Sequence, residues 1–340
     1  MADITTGNAY VDTDVGTDDV SHGGSSGTGA CKSLVYLWNS RLGTATGDIT
    51  VNCAGGTVDA YSSPQTLTAR STGTYSVTML GNLTTGAWDT SKFRMRFTGD
   101  GNGLIMAEPN LVINKVQFDY GNVNNGASVI DLSYAGAVAW TVKNSIFRDT
   151  AGVGTTHRAV KIASATSGTI LFNNDVVYAF NGTSSSGIYC YGAFAVLIYG
   201  CTFHNNTVAI SDPGGNRNIS VKNTAFHTNT SDLDGWQTAS CTNNATSKAT
   251  CDWTGGAFGG TDHGSVTDGD YSFGNLTNHD FSLTDGTSIT AVRRQGTTLG
   301  GPYATDIKGT TRPGTGEGAY SIGAFEYQTS GPVKLAGYVL

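Results

Sequence analysis

Three polar side chains at matching positions of a repeated segment could act together on an acidic glycan. Arg148, Tyr178 and His204 each follow the large apolar residue that closes one copy of the repeat, and Asp119 and His227 hold the same position in the neighbouring copies. In stacked parallel coils such residues line up on one outer face, about 4.8 Å apart. An arginine could neutralise a uronate carboxylate while a tyrosine or histidine moves the adjacent proton, as in a polysaccharide lyase. The sequence favours the simpler alternative, ordinary solvated side chains on an outer sheet.

Ring side chains at these outer positions are also candidates for stacking on sugars. The candidates for glycan binding are Tyr120, Tyr178, His204 and His227. Tyr191 and Tyr199 are further aromatic residues expected to be exposed. Tyrosine is common on strands without any ligand, so these positions indicate a surface more firmly than a binding site.

Acidic residues give weaker indications of a cation site. Asp175 interrupts a column expected to face inward, and together with Asp149 it could bind a cation such as Ca²⁺. The alternative is that Asp175 hydrogen-bonds the backbone of the neighbouring turn. A second acidic group lies in the N-terminal loop and comprises Asp12, Asp14, Asp18 and Asp19. Its spacing does not fit a calcium-binding loop, so no cofactor is predicted and calcium is the one ion left open.

These residues belong to a stretch that repeats five times between residues 111 and 228. The copies are Leu111–Phe118, Trp140–Phe147, Ile170–Val177, Val196–Phe203 and Ile219–Phe226. Their last residues are 29, 30, 26 and 23 positions apart. A period in this range, combined with strand-like alternation of apolar residues, indicates a solenoid.

Each copy carries a predicted corner three residues before its end. The corner residues are Lys115, Asn144, Asn174, Gly200 and Asn223, and Asn and Gly tolerate the left-handed backbone of a sharp turn. The next residues are predicted to point inward: Val116, Ser145, Asp175, Cys201 and Thr224. The corner asparagines should form a partial hydrogen-bonded ladder. Because no single coil can bury its own apolar face, the coils must stack.

The predicted fold is therefore all-β: a single-stranded, right-handed parallel β-helix with an N-terminal helical cap and a C-terminal β cap. Residues 1–47 form an N-terminal strand, a loop and a capping helix at Lys32–Asn39; residues 48–229 form the β-helix. Residues 230–275 form an irregular excursion, and 276–340 a closing module with an apolar tail, Val333–Leu340. Strands in the closing module are predicted at Phe281–Leu283, Ile289–Val292 and Ile322–Tyr327.

Composition restricts the functional classes. Only 13% of the 340 residues are charged, and the net charge of −7 comes without a basic cluster, so nucleic acid is not an expected partner. No apolar run is long enough for a membrane span. A strand-rich chain with few charges is typical of extracellular proteins, yet the first twenty residues do not have the pattern of a signal peptide. Either a leader peptide has been removed, or the protein reaches the outside without secretion, as a phage virion protein does. We expect the second, and therefore a virion or extracellular protein.

Six cysteines are spaced without any C-x-x-C pair, so a zinc site is not expected. Cys31 with Cys53, and Cys241 with Cys251, are candidate disulfides, whereas Cys201 is predicted to be a buried thiol. If the chain stays in a reducing cytosol, all six are expected to be thiols.

Both ends of the chain resemble a known group. The segments YVDTDVG, GTGACKSL and GDITVNCAGG resemble the beginning of right-handed parallel β-helix proteins of the pectate-lyase-like superfamily. The far end, from DFSLTDGTSI to IGAFEY, is similar to the closing module of the choice-of-anchor Q type. The matching residues are Asp306, Gly309, Arg312, Pro313, Ile322, Gly323, Ala324, Phe325 and Glu326. The resemblance implies this fold, and a pairing of Arg312 with Glu326 is expected to tie the module down.

Members of that group include polysaccharide-degrading enzymes, adhesins and phage tail or surface proteins. We expect a non-enzymatic structural or adhesive surface protein: a phage virion component, tail-associated or capsid-decorating, that binds other virion or surface subunits, a second copy of itself, or a glycan. The alternative is a polysaccharide lyase or hydrolase acting on acidic glycans. A monomeric glycan-binding module is the third interpretation.

Overall fold

The computed structural model describes residues 3–121, 128–151, 156–162, 165–192, 194–213, 218–234, 239–249, 261–314 and 318–328. Within these residues the chain passes through three sheets in turn. From the fifth strand to the twenty-fourth, each strand pairs in parallel with the strand three places earlier in the chain, and the first strand pairs with the second. Strands are numbered along the chain. The first sheet contains β1 (Gly7–Asp12), β2 (Ile49–Ala54), β5 (Val77–Leu80), β8 (Asn110–Asn114), β11 (Ala137–Lys143), β14 (Ser167–Asn173), β17 (Ala195–Tyr199), β20 (Asn218–Lys222) and β23 (Ala239–Thr242).

The other two sheets repeat this arrangement. The second contains β4 (Gln65–Leu67), β7 (Leu104–Met106), β10 (Ser128–Leu132), β13 (Arg158–Ile162), β16 (Ser186–Cys190), β19 (Val208–Ser211) and β22 (Ser231–Asp234). The third contains β3 (Val58–Tyr61), β6 (Arg94–Phe97), β9 (Gln117–Tyr120), β12 (Ile146–Asp149), β15 (Val176–Tyr178), β18 (Thr202–His204), β21 (Ala225–His227) and β24 (Ala245–Thr246). Parallel sheets joined in this cyclic order form a β-helix, which confirms the predicted fold class.

The closing residues of the repeat stack inside the coils. Phe118 pairs in register with Phe147, Phe147 with Val177, and Phe203 with Phe226. All are buried. The rings of Phe118 and Phe147 stack with their centroids 4.9 Å apart, and those of Phe203 and Phe226 at 5.5 Å. Each coil therefore buries its apolar side chains against the equivalent side chains of the next coil.

The predicted corners adopt the left-handed backbone. The φ angle is 53° at Asn144, 57° at Asn174 and 63° at Gly200. Asn174 Nδ2 donates to Asn144 Oδ1 at 3.2 Å, and Asn144 Nδ2 donates to Asn114 Oδ1 at 3.0 Å. Gly200 has no side chain, so the ladder stops there, and Asn223 instead donates to the carbonyl of Thr297.

A helix lies against the first coils. Helix α1 (Leu34–Arg41) begins after Ser33, whose hydroxyl accepts a hydrogen bond from the Tyr36 N–H. It packs against β1 and β4. The Trp38 indole donates to the carbonyl of Thr68 at 2.9 Å. The helix therefore covers apolar side chains at the N-terminal end of the solenoid, close to the predicted position.

The C-terminal part differs from the prediction in two respects. Strands β22, β23 and β24 continue the coils past residue 229, the predicted end of the β-helix. Their sequences, SDLD, ASCT and AT, are too short and polar to show the apolar alternation that marked the earlier coils. Beyond them lie helix α2 (Asp268–Tyr271) and an antiparallel pair, β25 (Phe273–Asn275) and β26 (Asp280–Leu283).

Two other predicted late strands are absent from the described residues. Ile289–Val292 lies in turns, and Ile322–Tyr327 has no ladder partner. Short 3₁₀ helices cover Gly27–Gly29, Leu276–Asn278 and Gly301–Tyr303. The apolar tail, Val333–Leu340, lies outside the described residues.

The closing segment, residues 312–314 and 318–327, is held by side-chain hydrogen bonds instead of by strand pairing. Arg312 and Glu326 are buried with Nη1 and Oε2 3.8 Å apart, as the resemblance implied. Arg312 Nη2 donates to the carbonyl of Gly323 at 2.7 Å and to Asn174 Oδ1 at 3.2 Å. Arg312 thus connects the closing segment directly to a corner of the coils.

Cys31 and Cys53 do not form the predicted disulfide. Both are buried thiols. Val11 bridges to Cys31 on one side and pairs with Cys53 on the other, so the two cysteines are separated by about two strand spacings, roughly 9.6 Å. That separation exceeds the span of a disulfide. Cys201 is buried as predicted, and Cys251 lies outside the described residues.

No helix in the described part of the chain has the length and apolar character needed to cross a membrane.

Candidate functional site

The predicted outer row forms on the third sheet. We use "outer row" for Asp119, Arg148, Tyr178, His204 and His227, which pair in succession across β9, β12, β15, β18 and β21. The register is therefore as predicted. The environment is not, because Asp119, Tyr178 and His227 are buried.

Residues 268–283, which we call the clasp, lie over Tyr178, His204 and His227 of the outer row. The ring of His279 stacks on Tyr178 at 4.5 Å between centroids. Phe281 packs against Tyr178 at 5.5 Å and against His204 at 5.2 Å. Phe273 meets His227 at 5.4 Å. The alternation of a strand tells which side chains leave the coil, but it does not tell what else packs on them. In the sequence, the aromatic residues of the clasp were the one indication that this segment would pack on another surface.

Arg148 is held by an ion pair and by an aromatic ring. Its Nη2 donates to Asp119 Oδ2 at 3.1 Å, and its guanidinium carbon lies 3.5 Å from the ring centroid of Trp88. Arg96 Nε shares the same carboxylate oxygen at 3.5 Å. The side chain of Arg148 is 20% exposed. The Nη2 atom and one face of the guanidinium are therefore engaged within the fold.

Tyr178 is poorly suited to proton transfer in this state. It is only 2% exposed, beneath His279 and Phe281. Burial raises the pKa of its phenol well above the ordinary value, although the positive charge of Arg148 opposes the rise. The hydroxyl therefore keeps its proton near neutral pH.

His204 and His227 form a hydrogen-bonded pair connected to the clasp. Their Nδ1 atoms are 2.8 Å apart, and His227 Nε2 lies 2.5 Å from Asp268 Oδ1. When Nε2–H of His227 donates to the Asp268 carboxylate, Nδ1 of His227 can accept a hydrogen bond from Nδ1–H of His204. Burial, followed by the charges of His227 and His279, lowers the pKa of His204 to about 4. His204 is thus neutral near pH 7 and a weak base.

Tyr120 does not face solvent as predicted. It is buried, with its ring edge-on to His157 at 4.6 Å between centroids. Tyr120 lies two residues after the inward-facing Phe118, so strand alternation already placed it inside the coil. Among the glycan-binding candidates, His204 alone is partly exposed, whereas Tyr191 remains 56% exposed on another face.

The acidic candidates for a cation site are used separately. Asp175 accepts hydrogen bonds from the N–H groups of Ser145 at 2.9 Å and Asn173 at 3.2 Å, and burial raises its pKa. Asp149 lies 2.7 Å from Nδ1 of His157, and both side chains are buried. The described residues contain no cluster of three or more metal-ligating side chains. Asp175 therefore joins the corner of its own coil to the corner of the preceding coil.

The N-terminal aspartates tie loops together. Asp14 accepts hydrogen bonds from the N–H groups of Gly56 and Thr57, both at 2.7 Å. Asp18 accepts from the N–H groups of Lys32 and Ser33 at 2.8 and 2.9 Å, just before α1. These carboxylates are satisfied by the backbone of the first coils.

Comparison with known proteins does not bear on the site. No family model matches the chain, and no curated protein matches it. A crystal structure of the pectate lyase Pel9A aligns with 96% of this chain and 98% of its own, at 12% identity and a TM-score of 0.36. The fold is a parallel β-helix. That conclusion depends on the three parallel sheets themselves, and the choice-of-anchor Q resemblance stays a prediction.

Proposed function

We propose that this chain is a non-enzymatic structural or adhesive surface protein, a phage virion component that is tail-associated or capsid-decorating. The observation that carries the proposal is the clasp, which covers the row of side chains that a lyase would use. A polymer chain would have to displace Phe281 and His279 before it could reach Tyr178.

The electrostatics of the row support the same interpretation. A base that removes a proton beside a carboxylate works best with a pKa near the working pH. Tyr178 has a pKa far above that range and His204 a pKa of about 4. The Nη2 atom of Arg148, the candidate for binding a substrate carboxylate, already donates to Asp119.

The proposed partners are other virion or surface subunits, or a second copy of this chain. Stacked coils form an extended and stiff unit that presents long sheet faces, which suits a structural or adhesive role. The low fraction of charged residues and the apolar sequence of Val333–Leu340 favour packing against protein.

Glycan binding without cleavage is part of the proposal, and Tyr191 is its best remaining aromatic. It is 56% exposed, and exposed tyrosine rings can stack on sugars. On a glycan array, Tyr191→Ala should lose signal that the wild type retains, whereas Thr141→Ala, on the outward face of β11, should not.

The proposal is tested by an activity screen combined with microscopy of the native assembly. Incubation with uronate-rich glycans should produce neither new reducing ends nor unsaturated products, and electron microscopy should locate the protein in a particle. Glycan cleavage that Arg148→Gln abolishes would overturn the proposal in favour of a lyase or hydrolase. Isolated monomers in a cell supernatant would overturn the virion assignment.

A further inference from the structure

Three buried hydrogen-bond donors without an acceptor gather around one guanidinium group. They are Trp88 Nε1, Arg148 Nε and the hydroxyl of Tyr178, and none of them donates a hydrogen bond within the described residues. The Tyr178 oxygen can accept from the Arg148 guanidinium, but the hydroxyl proton has no acceptor there. Buried donors are normally paired, so a group of three that lacks acceptors requires an explanation.

The three donors are neighbours through Arg148. Its guanidinium stacks on the Trp88 ring at 3.5 Å, which places the loop before β6 against β12. Tyr178 is the in-register neighbour of Arg148 on the adjacent strand, and the charge of Arg148 acts on the Tyr178 phenol. The donors thus come from three separate parts of the chain and meet at one side chain.

The local charge favours an anion. Arg96 and Arg148 share the single carboxylate of Asp119, which leaves one positive charge in excess. Thr150 also donates to Asp119, at 2.8 Å, and so occupies its other oxygen. His279, above Tyr178, has its pKa lowered by burial and by the charge of Arg148, so it adds no second positive charge near neutral pH.

We propose that Trp88, Arg148 and Tyr178 form a binding site for one small oxyanion, a carboxylate or a phosphate group. All the unpaired groups can donate, so the missing partner is an acceptor, and the excess positive charge selects a negative one. The exposed fifth of the Arg148 side chain is where such a group would enter. The site does not depend on the proposed function, since it requires neither a virion nor a glycan.

The test compares anion binding in the wild type with binding in variants that each remove one donor. Tyr178→Phe keeps the ring and loses the hydroxyl, and Trp88→Phe keeps an aromatic face for Arg148 and loses the N–H. Inorganic phosphate and acetate are titrated by calorimetry at constant ionic strength. Each substitution should weaken binding about tenfold, since each removes one charge-assisted hydrogen bond. Tyr36→Phe, which removes a hydroxyl from helix α1 away from the site, serves as the matched control and should bind like the wild type.

The two anions distinguish the sources of the ligand. Tighter binding of phosphate would assign the site to a phosphate ester, and tighter binding of acetate to a carboxylate. Equal affinity in the wild type, Tyr178→Phe and Trp88→Phe would mean an adventitious ion only, and would overturn the proposal. Absence of binding to the wild type would also overturn the proposal. It would mean that water, and not an anion, accepts hydrogen bonds from these donors. Circular dichroism establishes that each variant is folded.

Discussion

The stacked coils and the clasp both use aromatic rings, but in different arrangements. In the coils, Phe118 and Phe147 stack at an interplanar angle of 10°, and the contact recurs with Phe203 and Phe226 at 14°. In the clasp the angles vary: Phe281 meets His204 at 58° and Phe273 meets His227 at 75°, whereas His279 stacks on Tyr178 at 21°. The coil contacts repeat along an axis, whereas each clasp contact occurs once.

The two regions also differ in charge. The aromatic column in the coils contains no titratable group, so its stability should not change with pH. The clasp is connected to the coils through His204, His227 and Asp268, and the Asp268 side chain is 72% exposed. We therefore expect the clasp to open at lower cost than the coils unfold.

The largest expected effect is on the coils. Phe147→Ala should lower the free energy of unfolding by about 3–5 kcal/mol, because it removes a ring stacked within a buried column. Urea unfolding followed by circular dichroism measures the loss. Thr141→Ala on the outward face of β11 is the control and should change stability by less than about 0.5 kcal/mol. Equal losses for the two variants would contradict the stacked core.

Acid should weaken the clasp. The pKa of His204 is lowered to about 4, below its ordinary value of 6.5, so the neutral ring stabilises the fold. This contribution is complete above pH 6.5 and is lost as the pH falls towards 4, with a total of at most about 3 kcal/mol. The groups that face His204 are His227, His279 and, through His227, Asp268.

A variant isolates this effect from the titration of carboxylates. His204→Phe keeps a ring against Phe281 and removes the ionisable group. Stability measured between pH 7 and pH 4 should therefore fall less in the variant than in the wild type. Identical pH profiles for the two proteins would show that His204 is not the source.

Removing a clasp aromatic should have a smaller and local effect. Phe281→Ala should cost about 2 kcal/mol, less than Phe147→Ala, because the coils can remain folded when the clasp opens. Hydrogen exchange should become faster in residues 268–283 and at the outer row while the other coil strands stay protected. The control is Ile289→Ala, a side chain that is 52% exposed. Faster exchange throughout the coils would contradict an independent clasp.

The smallest expected effect concerns the corners. Asn144 has φ of 53°, so Asn144→Ala should cost about 1 kcal/mol more than Asn144→Gly. Both variants lose the same side-chain hydrogen bonds to Asn114 and Asn174. The difference between their free energies of unfolding therefore measures only the cost of the left-handed backbone at residue 144. Urea midpoints measure it, and equal midpoints would show that the corner is not strained.

Local sequence rules predicted the coils well. Asn144 and Asn174 mark corners because few other residues accept that backbone, and Phe118 and Phe147 mark the interior because strand alternation fixes the side of each residue. The same rule could have identified Tyr120 as buried. Strand alternation could not predict that the clasp covers Tyr178 and His204. That contact joins the coils to residues 268–283, which lie outside the repeat.

The central claim is that the clasp covers the outer row in solution. The most direct test is an NMR titration of the His204 imidazole in the wild type and in Phe281→Ala. A covered His204 should titrate with a pKa of about 4, and the value should rise towards 6.5 when Phe281 is removed. A wild-type pKa near 6.5, unchanged in Phe281→Ala, would mean that the row is open to solvent and would contradict the account.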